Sequence, residues 1–339
     1  MPPTSNTKVY VDPLVNVNYA GFYIHGFYQK FGVKNVIFTN KPFQSLENRK
    51  NCLNFVIDHK KYCIDFGGTS DVKPREYAWC DVYGHVNANR KNTSAEYQQK
   101  LVSLAPSFGI KLWSHVDSFV YAWKNMWKTF YKVFPFKFIV DYRKQCRYRV
   151  YYEEYENPAP EVDKNYIFHL SSVWPNDDWE KNDPGFNEAN SAFIAACNAI
   201  PDLNFDGGLT FSKNVNCNPS LTQFKCEGSV SVKEYLEKTR RSVLAFNTPF
   251  SNGSHGWKLS EFMALGKAIV SLPLVNDLPE PLTHGENVHF VEYNEAAIKE
   301  AILKIRNDDE YRTKLEKGAR KYWETYGTST KSLELLGIK

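Results

Sequence analysis

The residues whose types and spacing suit chemistry cluster in one stretch, SNGSHGWKLSEFMALGKAIVSLPL, at positions 251–274. The small residues Ser251, Asn252, Gly253, Ser254 and Gly256 make an irregular turn that leaves backbone N–H groups bare for anionic oxygens. Leu259, Phe262 and Met263 then share one helical face, with Glu261 on roughly the opposite side; Gly266 is placed to stop the helix, and 268–272 reads as a buried strand. Such a helix start favours negative charge by ~0.3–1 kcal/mol per group. One turn on, about 5 Å along the axis, Glu261 presents a carboxylate. Diphosphate at the helix start and ribose hydroxyls on that carboxylate would suit a nucleotide-sugar, with Lys258 as the cation and His255 as a contact to sugar or phosphate. The plainer readings are a solvated lysine, a loop histidine and an amphipathic helix with a solvated Glu.

These residues need strands that end beside them. Residues 242–246 (SVLAF) read as a strand whose carboxyl end feeds the 247–257 loop, behind a helix at 232–240. That is the edge at which an open α/β sheet binds ligands. Residues 166–170 (YIFHL) form another strand, with Ser171, Ser172 and Trp174 in the loop beyond it and a helix at 187–199 after that. Near the N-terminus, a strand at 8–12, a loop at 13–20, a helix at 21–31 closed by Gly32 and a strand at 36–39 make a βαβ start. Short strands are expected at 53–57, 62–66 and 79–83, with a Gly67-Gly68 turn between the last two. This half offers two residues for deprotonating an acceptor hydroxyl. Asp81 leads, because a carboxylate can take the proton and His85 shares its face on an extended backbone; an Asp at a turn is the alternative. His25 lies in the first helix, where a surface or satisfied core histidine is the plainer reading. The acidic run 153–163, with two prolines, reads as an interdomain linker. A helix from 294 and another at 311–326 close the chain as structural elements.

The run KLSEFMALGKAIV at 258–270 resembles the donor-site helix and following strand of the GT-B glycosyltransferases of the group 1, or family 4-like, superfamily, whose pattern is roughly K-x-x-E-x-x-A-x-G-x-P-x-V. The likeness is specific over this stretch and compatible in layout over the rest. It implies an α/β fold of two Rossmann-like domains facing across a cleft: an acceptor-side domain at 1–155, a nucleotide-sugar domain at 156–325 and a tail at 326–339 that packs across the cleft. It implies that Glu261 binds the nucleotide ribose, that Gly253, Ser254, His255, Gly256 and Lys258 face diphosphate and sugar, and that Ser171 and Ser172 help hold the phosphates. The activity it implies is transfer of a hexosyl or deoxyhexosyl group from a nucleotide-diphosphate sugar to a hydroxyl of a glycan or lipid-linked glycan. No cofactor or metal is expected, since helix dipole, backbone N–H groups and cations can meet the departing diphosphate. A sugar-nucleotide epimerase of the same fold and a non-catalytic nucleotide- or sugar-binding module are the alternatives. Two positions depart from the pattern. Retaining members often carry E-x7-E, and the residue eight before Glu261 is Gly253; the family's proline is Ala268. These departures leave inversion or retention open, and no basic pair follows the 166–170 strand.

Length and composition fit this layout. A chain of 339 residues exceeds one ordinary domain, and 42% hydrophobic with 24% charged residues describes a globular protein. The net charge of +4 is too mild to imply nucleic acid, and no nucleic-acid partner is expected. Seven dispersed cysteines without a CxxC pair suggest a reducing compartment and argue against structural zinc. The N-terminus lacks the basic and apolar regions of a signal peptide, and no apolar run reaches membrane-spanning length. A cytoplasmic protein is the expectation, with peripheral membrane contact left open.

That contact would come from residues 122–149. Lys124, Lys128 and Lys132 recur every four residues beside Trp123, Trp127, Phe130 and Phe134, and Lys137, Arg143, Lys144, Arg147 and Arg149 follow with Asp141 as the sole acid. An interfacial membrane helix fits this pattern, as does a single-strand nucleic-acid surface. The third reading buries the aromatic stripe as core and leaves the lysines as a solvated face.

Overall fold

The computed structural model describes residues 7–46, 51–129, 135–157, 161–174, 185–212, 217–250 and 253–339, with backbone alone at 135–138. The chain divides into two α/β units. Unit 1 comprises Met1–Glu154 with Asn276–Glu280 and Glu324–Lys339; unit 2 comprises Tyr155–Val275 with Pro281–Trp323. Both are Rossmann-like, as the GT-B resemblance implies.

Unit 1 opens with β1 (Val9–Val11), α1 (Val17–Phe31) and β2 (Val36–Phe38), then the hairpin of β3 (Cys52–Ile57) and β4 (Lys60–Asp65). The hairpin turns on Asp58 and His59, both at positive φ (47° and 67°), as a tight two-residue turn requires. Next come α2 (Pro74–Trp79), β5 (Val82–His85) and β6 (Leu101–Ser103). The six strands lie in the order β2-β1-β3-β4-β5-β6. β3 runs antiparallel to both its neighbours, and the β1–β2, β4–β5 and β5–β6 pairs are parallel. One expectation is corrected here. Residues 79–83 are not one strand, because Pro74 in the first turn starts a helix that runs to Trp79.

Unit 1 continues with the helices α3 (His115–Thr129) and α4 (Pro135–Arg147) and meets unit 2 at α5 (Glu153–Glu156). The expected linker therefore begins as a helical turn; its residues 158–160 lie outside the described ones. After unit 2, the chain returns through a π-helical turn at Trp323–Gly327 to α11 (Ser329–Leu335), which packs on α1. Gly26 makes that packing possible: a Cβ there would stand 2.5 Å from the backbone oxygen of Ser329.

Unit 2 contains β7 (Tyr166–Ser172), α6 (Phe186–Asn198), β8 (Asn204–Thr210), α7 (Val232–Arg241), β9 (Ala245–Asn247), α8 (Trp257–Ala264), β10 (Ile269–Ser271), β11 (His289–Phe290), α9 (Glu295–Asn307) and α10 (Asp309–Tyr322). Every strand pair is parallel: β8 on β7, and β9 and β11 on β10. Val243 N–H donates to Tyr166 O at 2.9 Å and Phe168 N–H to Ser242 Oγ at 3.1 Å, which lays the approach to β9 beside β7. Ile167, Phe193, Val243, Phe246, Val270, Ile298 and Ile302 fill the core between strands and helices, and Phe193 stacks on Phe246 at 4.3 Å. Alternating strand and helix with a parallel sheet places every strand's carboxyl end on one edge.

Candidate functional site

At that edge of unit 2, two helices begin beside one recess. Its lining includes Phe186 and Asn190 of α6, Phe246 and Asn247 of β9, Phe250, and Gly256 and Lys258 at the start of α8. Helices α1, α7, α9, α10 and α11 each have an N-cap side chain, Asn16, Ser231, Asn294, Asp308 and Thr328, accepting from a first-turn N–H. By contrast, α6 and α8 begin on Gly185 and Gly256 with no side-chain cap. The Glu188 carboxylate folds back over the α6 start, where a Cβ on Gly185 would lie 1.8 Å from its Oε2, whereas α8 has no acid in its first turn and begins beside the recess with its positive dipole end. The sequence pointed to the α8 start; the second helix start, α6, was not anticipated.

The loop before α8 is closed by its own backbone. Phe250 N–H donates to Ser254 O at 2.8 Å and Gly253 N–H to Phe250 O at 3.0 Å. Gly253 sits at φ 69° with a Cβ position 2.6 Å from Val275 Cβ, so a side chain is unwelcome there. The absence of an acid eight before Glu261 is thus built into the backbone. Ser254 and His255 are buried in this loop. Ser251 and Asn252 lie outside the described residues.

Lys258 does not point away from the helix. Its Nζ donates to Leu170 O near the end of β7. Burial pulls its pKa down to about 8, against the opposing pull of the Glu261 carboxylate. His169, one residue earlier in β7, has Nε2 2.8 Å from Asn190 Oδ1, and Asn190 Nδ2 donates to Phe186 O at 2.6 Å. Burial, with the Lys258 charge adding to it, lowers the imidazole pKa to about 3. The ring is therefore neutral, with its proton on Nε2. Ser171 is buried, and exposed Ser172 places Oγ 3.1 Å from Thr210 Oγ1. Trp174, 48% exposed, exchanges two hydrogen bonds with Asn187 and sets its ring against Phe250 at 5.5 Å, while Phe186 stacks on Phe250 at 4.5 Å.

Glu261 lies a turn further along α8, half-buried. The Tyr155 hydroxyl reaches its Oε1 at 3.5 Å, the outer limit of a hydrogen bond. Tyr235 is near the same carboxylate, and burial together with the Glu261 charge pushes its phenol well above the usual range. Sequence reasoning missed both tyrosines. Tyr155 was hidden in an acidic run that reads as linker, though it is 1% exposed; Tyr235 read only as an apolar position on α7.

The acceptor-side residues of unit 1 fall elsewhere. Asp81 stands at the amino end of β5, exposed, its carboxylate accepting Lys61 N–H at 2.8 Å. His85, expected to share its face, is fully buried at the carboxyl end of the strand and accepts Asn87 N–H on Nδ1 at 3.0 Å. The two stand at opposite ends of the strand. His25 is mid-helix, Nδ1 3.0 Å from Ser329 Oγ, Nε2 3.3 Å from Gln29 Nε2 and the ring stacked on Tyr152 at 4.4 Å. Burial lowers its pKa, opposed by Glu153. The carboxyl edge of this sheet instead gathers Asp65, which accepts from Lys73 Nζ, Gly67 N–H and Tyr83 Oη. Among the described residues no three His, Cys, Asp or Glu side chains form a metal cluster, and no helix is long and apolar enough to cross a membrane.

Comparison with known proteins bears on the same segment. Residues 222–322 match the family model described as Glycosyl transferases group 1, a span that runs from before α7 to the end of α10 and includes Lys258 and Glu261. No curated protein matches the chain. Among solved structures, the chain is similar to the C-terminal domain of a glycosyl transferase group 1 family protein, LpcC, from Francisella tularensis (16% identity, 52% of this chain, 97% of that one, TM-score 0.37). It is also similar to S. aureus TarM (12%, 90% and 55%, TM-score 0.46) and to a UDP-GlcNAc 2-epimerase from Neisseria meningitidis (13%, 78% and 62%, TM-score 0.40). The chain spans less than two thirds of the length of the latter two.

Proposed function

We propose that unit 2 binds a nucleoside-diphosphate sugar in the recess between the starts of α6 and α8, and that the protein transfers the sugar to an acceptor hydroxyl. The group 1 match supports glycosyl transfer. The observation that carries the donor assignment is the convergence of two glycine-started helices, without side-chain caps, on one recess that holds Lys258. The positive end of α8 and one ammonium meet a diphosphate leaving group without requiring a metal, and their preorganisation favours the charge that develops as the glycosidic bond breaks. Ser171, Ser172, Gly253, Ser254, His255 and Gly256 surround the phosphates and sugar in this reading, and Trp174 offers an exposed ring to the base. Glu261, steadied by Tyr155, takes the ribose hydroxyls. The acceptor is a hydroxyl of a glycan or lipid-linked glycan and the sugar a hexosyl or deoxyhexosyl group.

The test is a melting-temperature screen of nucleotide-sugars and their free diphosphates. One donor should stand out, since a ligand at about 100 times its dissociation constant stabilises by ~2.7 kcal/mol, and its free diphosphate should stabilise too. Incubation of that donor alone should then release diphosphate slowly, and quickly once the right acceptor is added. Change of the donor sugar without any acceptor would make the protein an epimerase, and binding without turnover a non-catalytic module. If no nucleotide or nucleotide-sugar shifts the transition, the donor site is not here.

A further inference from the structure

Helix α3 turns most of its large apolar side chains outward. Val116, Phe119, Val120, Trp123 and Trp127 are 72%, 64%, 39%, 49% and 58% exposed, and their spacing places them on one stripe. The face turned inward is the more polar one, with Ser118, Ala122, Asn125, Met126 and Thr129 buried. Ser118 Oγ donates to Tyr142 O at 3.0 Å and Asn125 Nδ2 to Tyr142 Oη at 2.8 Å, so these polar groups hold α3 against α4. The reading that buried the aromatic stripe is overturned for Trp123 and Trp127; Phe130, Lys132 and Phe134 lie outside the described residues. Among the described side chains of α4 the exposed ones are Val140, Arg143, Lys144 and Arg147, again one stripe but basic. Exposed Lys124 adds to it, against exposed Asp117 and half-buried Asp141. Lys128 does not contribute, because its Nζ donates to Phe38 O at 2.7 Å.

We infer that the α3–α4 hairpin docks on an anionic lipid bilayer, with the stripe of α3 at headgroup depth and the basic stripe of α4 on lipid phosphates. Trp and Phe are suited to the boundary between headgroups and acyl chains, and Val116 and Val120 add apolar area that an acyl environment rewards. Charge complementarity selects the occupant. A second copy of this chain would bring a like-charged basic stripe against the first, and single-stranded nucleic acid would stack on the rings but gain nothing from the valines.

The experiment is sedimentation of the full chain with vesicles of phosphatidylcholine and phosphatidylglycerol in equal parts, and with phosphatidylcholine alone. The wild-type protein should bind the anionic vesicles, more weakly as salt rises, and leave the neutral ones largely unbound. Each basic residue near an anionic surface is worth about a fivefold change in partitioning, so the triple variant Arg143→Glu, Lys144→Glu, Arg147→Glu should lose at least about a hundredfold. The variant Phe119→Ser, Trp123→Ser, Trp127→Ser should lose binding as well. Both alter exposed positions and should melt with the wild type; should either fail to fold, quenching of wild-type tryptophan fluorescence by brominated anionic lipid carries the test. Wild-type protein that stays in the supernatant overturns the inference. So does equal binding to neutral vesicles, a dimer that the serine variant dissociates, or a single-stranded oligonucleotide held by the same residues.

Discussion

Lys258 and Glu261 are three residues apart on α8, and their environments differ in a way that predicts measurable chemistry. Burial lowers the Lys258 pKa to about 8, with Glu261 opposing the shift. A diphosphate beside the ammonium favours its protonated form, so the bound pKa rises above the free one and binding takes up a proton between the two. Affinity for a nucleoside diphosphate should accordingly be level just below pH 8 and fall by up to about tenfold per pH unit above it. Lys258→Met should bind more weakly and show no such slope. Titration of both proteins from pH 7 to 9.5 checks this, and a level wild-type profile would remove Lys258 from the diphosphate. At Glu261 the expectation is simpler. Glu261→Ala should weaken nucleotide binding by ~1.5–3 kcal/mol, the usual worth of a hydrogen bond to a charged group. Tyr155→Phe, which leaves the carboxylate but removes its 3.5 Å partner, should cost no more than ~0.5–1.5 kcal/mol. An unchanged affinity in Glu261→Ala, with the thermal transition intact, would return that residue to the solvated surface.

At the scale of elements, the local rules were readable where the chain's own chemistry settles them. The loop, helix, glycine stop and strand of 253–271 form as their residues dictate, because turn formers, a one-sided apolar face and β-branched residues act within a few positions of each other. What the sequence hid was assembly between distant segments. Tyr155 joins Glu261 across 106 positions, and the start of α6 meets that of α8 only once the sheet is built. The same holds for α1 and α11, whose contact no local pattern announces. Gly26→Ala tests it. Alanine improves helix propensity by about 1 kcal/mol, yet its Cβ would lie 2.5 Å from Ser329 O, a backbone atom with little room to move. The overpacking should win and destabilise unit 1 by ~1–3 kcal/mol in a chemical denaturation curve. A neutral or stabilising Gly26→Ala would mean that α11 does not pack this closely.

For the whole molecule, composition and the alternation of strands with helices made two α/β units legible, but not how the chain shares them. Residues 276–280 and 324–339 group with unit 1, although the first of these lies deep in the second half of the sequence. Asp277 N–H donates to Ala88 O at 2.7 Å, and Asn89 Nδ2 to Asn276 Oδ1 at 3.2 Å. Nothing local to that proline-flanked loop signals either partner. Asp81 illustrates the same limit in unit 1: Pro74 starts a helix that runs to Trp79 and leaves Asp81 just ahead of β5, which an extended reading of 79–83 overlooks. The two proposed ligands consequently belong to different units, and hydrogen exchange on the full chain should separate them. A nucleoside diphosphate should slow exchange at 171–174, 185–190 and 247–262 in unit 2, because it covers the recess beside the starts of α6 and α8. Anionic vesicles should slow exchange at 115–129 and 139–148 in unit 1, where lipid covers the stripe of α3 and the basic face of α4. Protection by the diphosphate confined to unit 1 would overturn the donor site, and vesicle protection confined to unit 2 would overturn the docking surface, each without touching the other.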